Sequence, residues 1–217
     1  MVGECVDLKI AITSDVHIGR KDALVEEFFS SMKAIGNQVD IIVIAGDIVD
    51  NDSDSTREKF NEFLAISKNE GFFEKLFFVY GGMKHEVKML HSFPGLLLND
   101  FCLLSTQIGR IVIIHGNNIG LYYDSTNGEH AKIGAERVKL NLINHPVSWL
   151  PKIHEEDYLI LGHLHKRFYH EPMKIYCTGC WIPTSNSNND TGYVLLINDQ
   201  KSNYFTALKY NELILYK

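Results

Sequence analysis

The chain has 217 residues, 45% hydrophobic and 22% charged, which excludes a disordered polymer and allows a sizeable buried core. Its formal charge of −6 gives no electrostatic basis for tight, non-specific nucleic-acid binding, which depends on a basic face. No segment resembles a signal peptide and no apolar run reaches the length of a membrane span, so the expectation is a cytoplasmic protein without membrane contact.

Leu8 to Thr13 and Ile41 to Ala45 are short apolar runs without polar alternation, the pattern of strands buried on both faces. Between them Ala23, Leu24, Phe28, Met32 and Ile35 recur at helical spacing, with Gly36 as a predicted stop. Ser55-x-x-Glu58 reads as a capping box opening a second helix through Phe60, Phe63 and Leu64, with Gly71 ending it. A third strand over Leu76 to Tyr80 makes parallel βαβ units the expected arrangement. Further on, Phe101 to Leu104 and Ile111 to Ile114 suggest a hairpin, Lys132 to Ile143 a helix, and Tyr158 to Leu161 a strand. Short strands are then predicted at Lys174 to Tyr176, Tyr193 to Ile197, Tyr204 to Leu208 and Leu213 to Tyr216, with Thr184 to Thr191 as a surface loop. Nothing in repeats, linkers or composition divides the chain, so residues 1–217 are expected to form one domain of mixed α and β structure.

Polar residues gather where these apolar runs end. Asp15-x-His17 follows the first strand, Gly46-Asp47-x-x-Asp50 the second, His115-Gly116 the run to Ile114, and Gly162-His163-x-His165 the run to Leu161. Ligands of open α/β sheets bind beyond the carboxyl ends of strands, so four strand ends would deliver imidazole and carboxylate to one rim. Asp oxygen mixed with His nitrogen suits Mn, Fe, Zn, Co or Ni better than Mg or Ca, which favour all-oxygen shells. Gly-His-x-His is the strongest piece, because alternate residues of an extended segment share a face. Each motif alone also occurs in ordinary polar loops. Cys177-x-x-Cys180 lacks a second ligand pair and sits in strand-like sequence, so it reads as two partly buried thiols.

The order D-x-H, G-D-x-x-D, H-G, G-H-x-H resembles the calcineurin-like metallophosphoesterase superfamily over about residues 8 to 183. The resemblance implies two packed mixed β-sheets flanked by helices, a four-layer αββα sandwich, and a binuclear metal centre. It implies that Asp15, His17 and His165 hold one ion, that Asp47 bridges, and that His115 and His163 hold the other beside an Asn from the third loop. Two divalent transition-metal ions, manganese first, would activate a water for attack on phosphorus. Phosphodiester hydrolysis of a small phosphate ester is the first expectation, since small members without a cap do this. A phosphomonoesterase, a nucleotide pyrophosphohydrolase, a DNA nuclease and a non-catalytic scaffold resembling the retromer subunit are the alternatives.

The third loop departs from the family pattern. It reads Gly81-Gly82-Met83-Lys84-His85-Glu86. If Gly81 is the family glycine, Gly82 stands in the Asn position; if His85-Glu86 matches the family's His-Asp/Glu, Lys84 does. Neither Gly82 nor Lys84 carries a side-chain oxygen donor. The first register leaves the second ion with Asp47, His115 and His163. Two residues are expected beside the ligands: His85 as a proton donor to the leaving group, and Asp50 as an orienting carboxylate. Ser14 and Gly46 read as structural. Tyr122, Tyr123, Arg137, Lys139 and Trp149 could shape a substrate pocket or belong to a helix packed on the core. His145, His91, His130, His154 and His170 are assigned no role.

Overall fold

The computed structural model describes residues 8–82, 84–121, 128–183, 190–198 and 204–213. Its strands are β1 (Lys9–Thr13), β2 (Ile41–Ala45), β3 (Leu76–Val79), β4 (Leu97–Asn99), β5 (Cys102–Thr106), β6 (Gly109–Ile114), β7 (Tyr158–Leu161), β8 (Arg167–His170), β9 (Ile175–Thr178), β10 (Tyr193–Asn198) and β11 (Phe205–Lys209). The α-helices are α1 (Val25–Ile35), α2 (Asp54–Asn69), α3 (Lys84–His91), α4 (Gly128–Asn144) and the short α5 (Tyr210–Leu213). One sheet runs β11-β10-β1-β2-β3-β4 and the other β5-β6-β7-β9-β8. β1 to β4 are mutually parallel, as are β6, β7 and β9, while β10, β11, β5 and β8 pair antiparallel.

The unbroken apolar runs are explained by burial on both faces. Ile10, Ile12, Val43 and Ala45 share one core with Ile111, Ile113 and Ile160 of the other sheet. The alternate residues Ala11, Ile42 and Ile44 face a second core with Phe28, Met32, Phe60 and Phe63 of α1 and α2. On the far side, Val112, Ile114, Leu159 and Leu161 pack on Ala135, Val138 and Leu142 of α4. Helix, sheet, sheet and helix therefore stack as an αββα sandwich. Each buried aliphatic side chain contributes about 1.5–3 kcal/mol.

Local chemistry sets the boundaries, with some departures from expectation. Ser53, not Ser55, caps α2: its Oγ accepts from the Thr56 backbone N–H. Gly71 ends that helix at φ +78° as expected. Gly36 follows α1 but stays right-handed at φ −54°; a Cβ there would sit 2.4 Å from the Phe72 ring, so close packing is what requires glycine. The expected strand from Leu213 is not formed at its start, since Leu213 closes α5; the rest of it, like most of the Thr184 to Thr191 loop, lies outside the described residues. Lys139 is no pocket residue. It is fully buried, and its Nζ donates to the carbonyls of Glu155, Asp157 and Met173 at 3.0, 2.6 and 2.7 Å. Arg137 and Trp149 are exposed, and Tyr122 and Tyr123 lie outside the described residues. His170 ends β8, 3.9 Å from Glu136. Cys177 and Cys180 are buried free thiols, and burial raises both, Cys180 to about 12. Among the described residues, no helix is long and apolar enough to cross a membrane.

Candidate metal centre

The parallel strands β1, β2, β3, β6, β7 and β9 send their carboxyl ends to one rim, where the loops interlock. Asp15 N–H donates to Gly46 O at 3.0 Å and His17 N–H to Asp47 O at 2.9 Å, extending the β1–β2 ladder into the loops. Trp181, after β9, donates its backbone N–H to Asp15 O and its indole N–H to Thr13 Oγ1, and is itself fully buried. Ser14 donates to Asp15 Oδ2, which also accepts the His163 N–H at 2.9 Å across the sheets.

Five of the motif residues have left-handed backbones: Asp15, His17, Asp47, His163 and His165, with φ of 53°, 53°, 48°, 65° and 52°. Asp and His visit this region more readily than other side chains, yet such a conformation costs of order 1–3 kcal/mol where it is enforced. The sixth residue, His115, is followed by Gly116 at φ +119°. Glycine is also needed where backbones meet. A Cβ on Gly46 would lie 2.8 Å from Gly81 Cα, and one on Gly81 only 2.6 Å from Asp47 N.

All six expected residues come together, as two groups. Asp15, His17 and His165 form one, and Asp47, His115 and His163 the other, each with its ligand-capable atoms within 4.8 Å of one another. Asp47 Oδ2 faces both groups, 3.9 Å from His17 Nε2 and 3.3 Å from His115 Nε2. Each group draws on both sheets, since His165, His115 and His163 follow strands of the sheet opposite Asp15, His17 and Asp47. Asp50 Oδ1 lies 3.2 Å from His17 Nδ1, and Ala45 O lies 2.9 Å from His115 Nδ1. Both contacts turn the Nε2 atoms inward, as supporting partners of metal-bound histidines do.

Inside this frame Asp15 Oδ1, His17 Nε2, Asp47 Oδ1 and His115 Nε2 are buried without hydrogen-bond partners. Asp15 Oδ1 approaches His165 Nε2 at 3.1 Å without hydrogen-bond alignment. A buried polar atom left unpaired costs about 1–3 kcal/mol, so four at one place need a common partner. A divalent cation suits this set of carboxylate oxygen and imidazole nitrogen, and the residues fit two such ions.

The electrostatics agree. Burial would raise the Asp15 carboxyl, but His115, His165 and His17 reverse this and hold it well below its ordinary value. Burial would lower His115, but Asp15 and Asp47 outweigh it and lift the imidazole to about 9. Burial dominates at His17 and His163, which are both lowered.

The third loop brings Gly81 up to Asp47 and Gly82 up to the Asn117 side chain, whereas Lys84 opens α3. His85 lies in the first turn of α3, and its side chain lies outside the described residues. Sequence reasoning gave no role to Glu86, yet this fully buried carboxyl accepts the Ile48 N–H at 2.8 Å and the Gly81 N–H at 2.7 Å. Glu86 thereby clamps the β3 loop onto the loop of Asp47. Burial, reinforced by Asp47, raises it to about 8. A hydrophilic residue at a helix start is ordinary sequence, so only the fold exposes this clamp. His145 is exposed and belongs to neither group.

The same architecture occurs in solved structures of low sequence identity. YfcE, a phosphoesterase from E. coli, superposes with a TM-score of 0.56 at 15% identity, covering 95% of each chain. A single-residue mutant of Vps29 from Entamoeba histolytica superposes with a TM-score of 0.51 at 15% identity, covering 93% of this chain and 97% of its own. These likenesses concern the fold. No curated protein matches the sequence. The family model for calcineurin-like phosphoesterases matches residues 8–167, which reach from β1 to the start of β8 and include all six clustered residues. With most of its length matched, this chain belongs to the calcineurin-like phosphoesterase family.

Proposed function

We propose that this chain is a metal-dependent phosphoesterase that hydrolyses phosphodiesters, with its two Asp/His groups holding two divalent transition-metal ions. The observation that carries the reading is the convergence of buried, unpartnered donor atoms in two adjoining groups. Asp15, His17 and His165 would hold one ion and His115 and His163 the other, with Asp47 shared. The ions would supply Lewis acidity toward phosphoryl oxygens and make water a competent nucleophile near neutral pH. The chain's own residues arrange the rest: Asp50 and the Ala45 carbonyl fix the rings of His17 and His115. His85 is the proposed proton donor to the leaving oxygen. Manganese is the first choice of metal, with Fe, Zn, Co and Ni compatible with the same donors. Residues 1–217 are read as one cytoplasmic domain; the core shared by the two sheets supports the first part.

A phosphomonoester or nucleotide pyrophosphate is the second choice of substrate, and the charge of −6 disfavours a nuclease. One feature favours a non-catalytic scaffold: Gly82 offers no side-chain donor. Metal analysis of the purified protein, with hydrolysis of bis-p-nitrophenyl phosphate and p-nitrophenyl phosphate in added Mn(II), tests the reading. Bound transition metal and faster turnover of the diester are expected. Protein that neither retains metal nor hydrolyses either ester would overturn it.

A further inference from the structure

We infer that Asn117 supplies the oxygen donor that Gly82 cannot, completing the second metal group from the β6 loop. The inference rests on the metal-dependent reading above. Asn117 begins a single 3-10 turn, Asn117–Ile119, directly after His115-Gly116. A Cβ built on Gly82 would fall 1.3 Å from Asn117 Nδ2, 2.3 Å from its Cγ and 3.0 Å from its Oδ1. The carboxamide of Asn117 therefore occupies the volume into which a residue-82 side chain would grow. The missing side chain and the present one are alternatives for a single space.

The surroundings of that space belong to the second group. A Cβ built on Gly81, next to Gly82, would press on Asp47, and one built on Gly116, next to Asn117, would lie 3.7 Å from the Cβ of His163. His115 is two residues away. Asn117 Nδ2 donates to Asn118 Oδ1 at 3.1 Å, whereas Asn117 Oδ1 is buried with no hydrogen-bond partner. A buried amide oxygen without a donor is costly, and a cation held by the second group would give it a partner. Carboxamide oxygens ligate cations through the same hard donor type as carboxylates. With Asn117 the second group becomes Asp47, His115, His163 and one neutral oxygen, four protein donors instead of three. A side chain at 82 would have to displace the Asn117 amide, so the two are alternatives for that space.

Mn(II) titration by calorimetry, with elemental metal counts, tests this on the full chain. Wild type should bind two ions. Asn117→Leu keeps the volume and removes the oxygen, and should bind one ion with unchanged affinity and the other at least about 10-fold more weakly. Asn117→Asp should retain both. The double variant Gly82→Asn with Asn117→Gly moves the amide across the same space and should also restore the second ion. Two ions of wild-type affinity in Asn117→Leu would overturn the role of Asn117 and leave the metal-dependent reading intact. Failure to bind Mn in wild type would overturn both. If Asn117→Leu does not fold, a folded Asn117→Asp or double variant that binds only one ion overturns the inference as well.

Discussion

The two halves of the centre are built by different means. Asp15, His17 and His165 all sit on left-handed backbone, with Asp15 and His17 tied down by ladder-like hydrogen bonds to the β2 loop and Asp15 also by Trp181. Asp47 and His163 are left-handed too, but in this half Ala45 O holds the His115 ring and a buried side chain, Glu86, holds the Asp47 and Gly81 loops together. Backbone placement is shared with the whole sheet and is hard to alter piecemeal. Side-chain placement can be reassigned. The half that departs from the family pattern, through Gly82, is the half whose loops the Glu86 side chain clamps together.

The difference can be broken from either end. Asp15→Ala should have the largest effect, about 100- to 1,000-fold on diester turnover, with loss of the first ion in metal analysis; near-wild-type kcat would show that this half is dispensable. Glu86→Gln comes next. Its amide nitrogen would face a backbone N–H that now meets an oxygen, loosening the Asp47 and Gly81 loops. A 10- to 100-fold weaker second ion is expected, with a smaller change at the first; equal weakening of both would erase the distinction between halves.

Protons should discriminate more gently. His115 is lifted to about 9 in the metal-free protein, and only its neutral form can bind a cation. Below about pH 9 an entering ion must displace that proton, so second-ion affinity should fall by up to about tenfold per pH unit as pH drops. His17 is lowered and imposes no such competition near neutrality. Mn affinities at pH 6, 7 and 8 test this, and a flat second-site affinity would refute it. Asp50→Asn should do least. An amide can still accept from His17 Nδ1, though without charge, so a loss of about tenfold in first-ion affinity is the expected ceiling.

Much of this was legible in sequence because the relevant signals are local. β2 and β7 lie where Ile41 to Ala45 and Tyr158 to Leu161 are apolar on both faces, and the six clustered residues directly follow such runs. What escaped is non-local or short. β4 has three residues at a sheet edge, and β8 alternates half-buried with exposed positions over only four. Ser53 outcompeted Ser55 as a cap because three backbone N–H groups further on, at Thr56, is where its oxygen reaches. Glu86 and Asn117 acquire meaning only once α3 and the β6 loop are folded against β2. Nothing in the sequence near Gly82 announces that a residue 35 positions later fills its space.

The left-handed backbones of Asp15, His17, Asp47, His163 and His165 set stability and activity against each other. Glycine occupies that region without steric penalty, so replacing one of these residues by glycine removes a donor and relaxes the chain together. For the metal-free protein, Asp47→Gly should relieve both the backbone and an unpartnered buried carboxylate oxygen. The inactive variant should therefore melt at a higher temperature than its metal-free parent. Where neutral drift is unopposed by selection for activity, these positions are where such a fold would shed its chemistry first while keeping its shape.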